Sequence, residues 1–403
     1  MTAQPLLAAL QALRDDPARV PDAAALAELA GMTPEALGAL CLLHRQRTPE
    51  AEIRAARIAA ACRRLAAGDA PGADLADAVG CTSAAAFADA FRAETRLTPA
   101  AYAEMLATSR CALDLPEDYR PADALAYHGR DAQSLGERVE GSGFAKALLL
   151  GETPAVLSIR FADGQARMAV ETAAPPSAGA HAEAHAKALR LLGLAIDPAG
   201  LAERAEDDPQ TARLIAGRPG LRLPLTGDIF ESFVWAIVGQ QVNLPFAYTL
   251  RRRVVAAAGL PAPGGLTAPP KPEAVAALPP DLLTAQQFSR RKAEYLIAGA
   301  GLVAAGALPI EGFPAGSAVE AMERLLAVRG IGPWTAQYVL LRGCGFGDCV
   351  PIGDAGLTAA LQRFHHLPAR PDAAETAALM AAFAPHRSLA TAHLWASLSE
   401  PTP

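Results

Sequence analysis

The chain has 403 residues, of which 51% are hydrophobic and 19% charged, and its formal net charge is −6. That length supports two or three domains with buried cores. The negative balance excludes a polycationic nucleic-acid binder, so any DNA contact must come from local patches and helix ends. Alanine is abundant, which favours helix throughout. Cys41, Cys62, Cys81, Cys111, Cys344 and Cys349 form no CxxC pair. This pattern argues against a zinc site or an iron–sulfur cluster and for thiols in a reducing compartment. No stretch is long enough to span a membrane, and Met1 to Leu13 lacks the basic start of a signal peptide. A cytoplasmic protein with no membrane partner is expected.

Residues 1–108 read as short helices ended by Gly31, Gly68 and Gly80. Two segments have helix-turn-helix form, Ala23 to Glu35 and Asp74 to Phe87. Each joins an apolar helix, a turn glycine, and a Thr or Ser able to cap the next helix. A long amphipathic helix from Pro49 to Ala67 links them. The run Phe87-Ala88-Asp89-Ala90-Phe91-Arg92-Ala93-Glu94-Thr95-Arg96-Leu97-Thr98-Pro99 resembles the C-terminal signature of AraC-type DNA-binding domains. The resemblance implies phosphate contacts from Arg45, Arg47, Arg92 and Arg96. Against this, residues 1–110 hold eleven arginines, no lysine and thirteen acidic residues, a net charge of −2. Ala84, Ala85, Ala86 and Asp89 would be poor base readers on the second recognition helix. A scaffolding role therefore stands beside DNA binding. Adaptive-response methyltransferase regulators carry a cysteine-rich methyl-acceptor module ahead of such a domain. Nothing like it precedes Ala23, so suicidal methyl-phosphotriester repair is not expected.

Over residues 113–200 the texture changes. Ala147 to Gly151, Ala155 to Phe161 and Arg167 to Thr172 read as strands, with Asp163-Gly164 as a hairpin signal. A helix over about Ala180 to Leu192 follows. Residues 201–403 return to helices, among them Phe230 to Val242, Pro245 to Ala258, Arg290 to Gly306 and Leu389 to Leu398. The Pro/Gly-rich run from Gly259 to Pro272 reads as a surface loop. The clusters Arg251-Arg252-Arg253 and Arg290-Arg291-Lys292 are candidate DNA contacts or solvated helix faces. The expected fold is mainly α with an α+β subdomain. It comprises a helix-turn-helix module, a small antiparallel sheet and an all-α core.

The most informative stretch is Leu325-Leu326-Ala327-Val328-Arg329-Gly330-Ile331-Gly332-Pro333-Trp334-Thr335-Ala336, followed by Asp354 twenty residues after Trp334. An apolar helix stops at Gly330, and Pro333 starts another. The intervening amides form a cradle for one phosphate. This resembles the helix-hairpin-helix and trailing aspartate of the DNA glycosylase superfamily. Asp228 to Val242, with its Gly239-Gln240-Gln241 turn, matches a second signature of that superfamily. From Leu113 onward the chain resembles 3-methyladenine DNA glycosylase II (the AlkA type), with Arg218-Pro219-Gly220-Leu221-Arg222-Leu223-Pro224 also typical.

The chemistry behind the motif is that breaking an N-glycosidic bond builds positive charge on the deoxyribose. A nearby carboxylate stabilises that charge, and Asp354 is the candidate. It is also an ordinary helix N-cap in form, and the two roles are compatible. The resemblance implies several further roles. Trp334, Tyr338, Tyr127 and Trp395 would line a base pocket, where aromatic faces suit a cationic methylpurine. Gly330, Gly332, Thr335 and Gln240 would contact DNA, and Gln241 would wedge into the duplex where AlkA-type enzymes usually carry leucine. The carbonyls of Leu326, Val328 and Ile331 would hold a monovalent cation, Na+ or K+. Relatives that cut the backbone place a lysine where this chain has Trp334, so no lyase step is expected. The expected activity is hydrolytic release of 3-methyladenine and 7-methylguanine from double-stranded DNA by a monomer with no other cofactor. Deaminated or oxidised bases are a second substrate reading. A transcription regulator with a weakly active glycosylase half is the rival from another class.

Overall fold

The computed structural model describes residues 3–399. They group into two compact units that cut across the three sequence blocks. The first holds residues 1–117, 140–188 and 262–264, and the second holds 118–139, 189–261 and 265–403.

The first unit begins with the helix Gln4–Asp15, which buries Leu6, Ala9, Leu10 and Leu13. The two helix-turn-helix pairs follow as Ala23–Leu29 with Pro34–Arg45, and Ala73–Ala78 with Ala84–Thr95. The linking helix spans Pro49–Ala66. A repeated Thr-Pro step sets three helix starts, at Thr33, Thr48 and Thr98. Each threonine accepts a hydrogen bond from an amide of the first turn, while proline gives up an amide that had no partner. Gly31, Gly68 and Gly80 all take left-handed angles, as expected of helix ends.

The same unit holds four antiparallel strands in the order Arg110–Asp114, Gln165–Thr172, Thr153–Ala162, Gly143–Leu150. Asp163 (φ 53°) and Gly164 (φ 72°) are both left-handed, as a two-residue hairpin turn requires. All three expected strands begin earlier than their apolar runs suggest, and Arg110–Asp114 escapes pattern reading. Its five residues are mostly half-buried, which leaves little alternation to detect.

Two buried histidines on the helix Ala178–Leu191 tie the sheet to the helix-turn-helix module. His185 Nε2 lies 2.7 Å from the Thr95 carbonyl oxygen, and its ring meets Tyr102 edge-on at 5.1 Å. His181 hydrogen-bonds with the Leu106 carbonyl and the Ser109 hydroxyl. The helix-turn-helix is thus packed into the sheet subdomain rather than tethered to it.

In the second unit, the helix Ile229–Val238 is buried almost all round and anchors the core with Phe233, Ile237, Leu250, Leu296, Leu325 and Leu341. It ends four residues before the expected Val242. Lys292 Nζ donates to the Val238 and Gln240 carbonyls at 2.8 and 2.9 Å, so the chain turns out at Gly239. The Arg251–Arg253 cluster is neither solvated nor free for DNA. Arg251 pairs with Glu137 and Glu231 at 2.6 and 2.7 Å, Arg252 pairs with Asp131 at 2.5 Å, and Arg253 donates to the Gln286 carbonyl. The expected surface loop from Gly259 contains a two-stranded ladder, Leu260–Pro261 with Thr267–Ala268, and Pro272 opens a short helix. Among the described residues no single helix is long and apolar enough to cross a membrane.

Burial holds the His185 pKa down at about 4. The unfolded chain takes up that proton near the ordinary value of about 6.5. Stability is therefore full at neutral pH and is lost as pH falls from about 6.5 toward about 4. The expected loss is about 3 kcal/mol across that window, read by denaturant unfolding at several pH values. His185→Gln should flatten the slope, and an unaltered slope would reject the assignment to His185.

Candidate active site

The helix Ala318–Leu326 ends before a turn, and Pro333–Tyr338 restarts beyond it. Gly330 adopts φ 89°, and a β-carbon there would lie 2.3 Å from the Tyr295 ring. Only glycine satisfies both the angle and the approach. Gly332 has open space around it, which keeps this side of the hairpin unobstructed. The guanidinium of the neighbouring Arg329 lies 5.9 Å from the centre of the same ring.

Two expected DNA contacts are committed inside the protein instead. Thr335 is only 2% exposed, and its hydroxyl accepts from Gln240 Nε2 at 2.9 Å. Gln240 also donates to the Gly330 carbonyl at 2.9 Å. Gln240 therefore bolts the Gly-Gln turn to the hairpin, fixing their spacing. Gln241 is exposed and left-handed (φ 53°), a strained backbone that presents its side chain outward. Arg45 is likewise unavailable, being 6% exposed in an ion pair with Glu52 at 3.2 Å. Arg47 is half-buried, whereas Arg92 has an exposed side chain 3.9 Å from Asp114.

Asp354 caps the helix Ala355–His365, with Oδ1 accepting from the Leu357 amide at 2.8 Å. The same oxygen accepts from Trp395 Nε1 at 2.9 Å, and Oδ2 accepts from Trp334 Nε1 at 3.0 Å. Two indoles from distant helices thus hold one carboxylate. Three indole and amide donors keep it oriented, and among the described residues no cation forms a salt bridge with it. Oδ2 accepts one bond among the described residues, which leaves a lone pair for a substrate or a water.

The rings extend from this carboxylate. Trp334 and Tyr338 stand 5.5 Å apart, and Tyr338 and Trp395 stand 6.3 Å apart. A β-carbon on Gly239 would lie 3.6 Å from the Trp334 ring, so the Gly-Gln turn borders this cluster. Burial pushes the Tyr338 phenol up to about 12, with the Arg342 guanidinium opposing the rise. Tyr127 belongs to the cluster differently from what was expected. One guanidinium, Arg130, sits 3.6 Å from its ring centre, and Arg342 sits 4.9 Å away. At least one face of Tyr127 is therefore occupied by a protein cation rather than offered to a base.

Arg342 and Arg130 were not anticipated. Arg342 lies in Val339–Cys344, a stretch of π-helix continuing from Tyr338, and such wide turns gather at functional sites. A lone arginine inside the apolar run Val339-Leu340-Leu341-Arg342 was the available signal. Gly330→Ala should cost about 3 kcal/mol or more, since it combines a strained angle with overlap against an aromatic ring. Chemical denaturation measures this, and a loss below about 1 kcal/mol would mean the turn is not as rigid as drawn.

Residues 26–105 match the helix-turn-helix domain family, and residues 234–386 match the HhH-GPD superfamily base excision DNA repair protein family. The chain is 34% identical over 223 residues to DNA-3-methyladenine glycosylase 2 of Escherichia coli (strain K12), covering 54% of this chain and 75% of that one. It is 37% identical over 179 residues to YfjP of Bacillus subtilis (strain 168), named for DNA-3-methyladenine glycosylase. That match covers 44% of this chain and spans 62% of the relative's length. The fold is that of the solved 3-methyladenine DNA glycosylase from Archaeoglobus fulgidus, with a TM-score of 0.61 at 22% identity over 71% of this chain and 97% of that one. With the hairpin, the Gly-Gln turn and Asp354 in one cluster, the chain belongs to the DNA-3-methyladenine glycosylase family, extended by an N-terminal helix-turn-helix domain.

Proposed function

We propose that the protein is a monofunctional DNA glycosylase that hydrolyses the N-glycosidic bond of alkylated purines in duplex DNA, with 3-methyladenine and 7-methylguanine as substrates. The observation that carries this reading is the Asp354 carboxylate, held by Trp334 and Trp395 beside a cluster of aromatic rings. A base turned out of the helix stacks among Trp334, Tyr338 and Trp395, at a cost of a few kcal/mol in lost stacking that methylation reduces. As the base departs, the sugar becomes oxocarbenium-like, and the fixed negative charge of Asp354 stabilises it. Water then adds to C1′. The free lone pair on Oδ2 suits either contact with the sugar or orientation of that water.

A lyase step needs an amine at C1′. Trp334 offers none, and the Lys292 amine is tied to two main-chain carbonyls. On the DNA side, the amides of Gly330, Gly332 and Trp334 grip one phosphate and Gln241 fills the space left by the base, with the protein acting as a monomer. A Na+ or K+ ion at the hairpin would be held by the carbonyls of Leu326, Val328 and Ile331. Val328 already accepts from the Ile331 amide, which leaves its second lone pair for the ion. The helix-turn-helix match favours a DNA-facing role for the first unit as well. The buried Arg45 and the alanine-rich face at Ala84–Ala86 point to weak, sequence-indifferent contact rather than operator recognition.

Asp354→Asn should reduce release of 3-methyladenine from methylated duplex by about a hundredfold or more while the protein stays folded. Retention of near-normal release would sink the mechanism. Trp334→Ala removes both a stacking face and one carboxylate donor, so turnover of 7-methylguanine should fall by at least about tenfold. Chromatography of the liberated base follows both.

A further inference from the structure

Arg342, like Arg130 on the Tyr127 ring, is a cation that a cation-binding pocket does not need, and it is the one that also packs on Trp395. Its side chain is 9% exposed, and its guanidinium lies 5.2 Å from the Trp395 ring and 4.9 Å from the Tyr127 ring. Nη1 donates to the Pro224 carbonyl at 2.6 Å. Nε is buried with no hydrogen-bond partner among the described residues. Among the described residues no carboxylate forms a salt bridge with it, and its side-chain hydrogen bond to Pro224 goes to a neutral carbonyl. Burying an arginine without a paired carboxylate is costly.

The two substrate chemistries need opposite things from this position. When the C1′–N9 bond of a methylated, cationic purine breaks, the electron pair neutralises the ring, and the base leaves uncharged. When the same bond of an uncharged purine breaks, the electron pair leaves the base as an anion, spread over its nitrogens and any exocyclic oxygen. Water supplies the hydroxyl to C1′ in both cases. Its proton goes to solvent in the first and onto the departing base in the second. A guanidinium at the wall of the pocket stabilises the anion and repels the cation.

We propose that Arg342 is a specificity-determining residue: its guanidinium draws off the charge of a departing neutral purine, widening the substrate range beyond cationic methylpurines at the expense of binding the latter. This rests on the glycosylase reading. The π-helix supports it geometrically, because the wide turn at Val339–Cys344 sets Arg342 against Trp395, the same indole that holds Asp354. The sugar-stabilising carboxylate and the base-stabilising cation therefore share one ring as their spacer.

The test compares single-turnover release of hypoxanthine from a deoxyinosine duplex with release of 7-methylguanine from a methylated duplex. Arg342→Met should lower hypoxanthine release by about thirtyfold and raise 7-methylguanine release by about threefold, inverting the preference. Arg342→Lys, which keeps the charge, should recover most of the hypoxanthine rate. A merely structural arginine would give a parallel fall on both substrates with a lowered melting temperature, and that result overturns the assignment. The unmodified enzyme is diagnostic without any variant: 7-methylguanine release with no hypoxanthine release also overturns it. Release of neither base would instead remove the glycosylase reading on which it stands.

Discussion

The hydrogen bonds from Trp334 and Trp395 to Asp354 are the constraint on which the site depends. The two indoles arrive from helices separated by about sixty residues of chain, and a carboxylate between them fixes both rings as well as itself. An arginine partner would hold a carboxylate more tightly but would neutralise it. Indole donors orient it and leave its charge available, which suits the role proposed for it beside a cationic sugar. The same two bonds hold Trp334 and Trp395 on either side of Tyr338, with ring centres 5.5 and 6.3 Å from it. Positioning and electrostatics are therefore one arrangement.

Around this centre the protein spends its side-chain polarity inward. Gln240 joins the hairpin to the Gly-Gln turn, Lys292 ends the helix that carries that turn, and Arg251 ties Glu231 of the same helix to Glu137. Each of these residues reads, in isolation, as a plausible DNA contact. Buried polar groups must find partners, and here the partners are main-chain carbonyls and carboxylates that hold rigid elements at fixed distances. For a chain with a net charge of −6, the proposed DNA contact, through hairpin amides and one exposed left-handed glutamine, calls for no basic surface.

The first unit follows a different logic. Its helix-turn-helix pairs keep their caps and turns, yet the arginine expected at the first recognition helix is paired with Glu52 inside the module. Histidines 181 and 185 then fasten the module to the sheet subdomain through hydrogen bonds to main-chain carbonyls. A module fixed in this way contributes surface and stability whether or not it reads a sequence, and its pH response follows from the burial of an uncharged imidazole.

How much of this was legible varied with the range of the interaction. Caps, turns and helix starts are local, so Thr-Pro steps, Asp163-Gly164 and the Gly330–Pro333 hairpin could be placed from the residues themselves. Asp354 and Trp334 could be named because their spacing along the chain is short and carries a family signature. What the residues alone left undecided was partner choice: Thr335 and Gln240 bond to each other, Arg45 to Glu52, and Tyr127 to two guanidiniums. Arg342 stood in the sequence only as a lone arginine in an apolar run, and its contact with Trp395 comes from the fold, where the π-helical turn carries it. Local backbone preference is written residue by residue, whereas the pairing of buried charge depends on which distant segments the core brings within reach. That is why sequence alone determined the scaffold and its carboxylate, and the folded chain decided which cations pack against the aromatic rings.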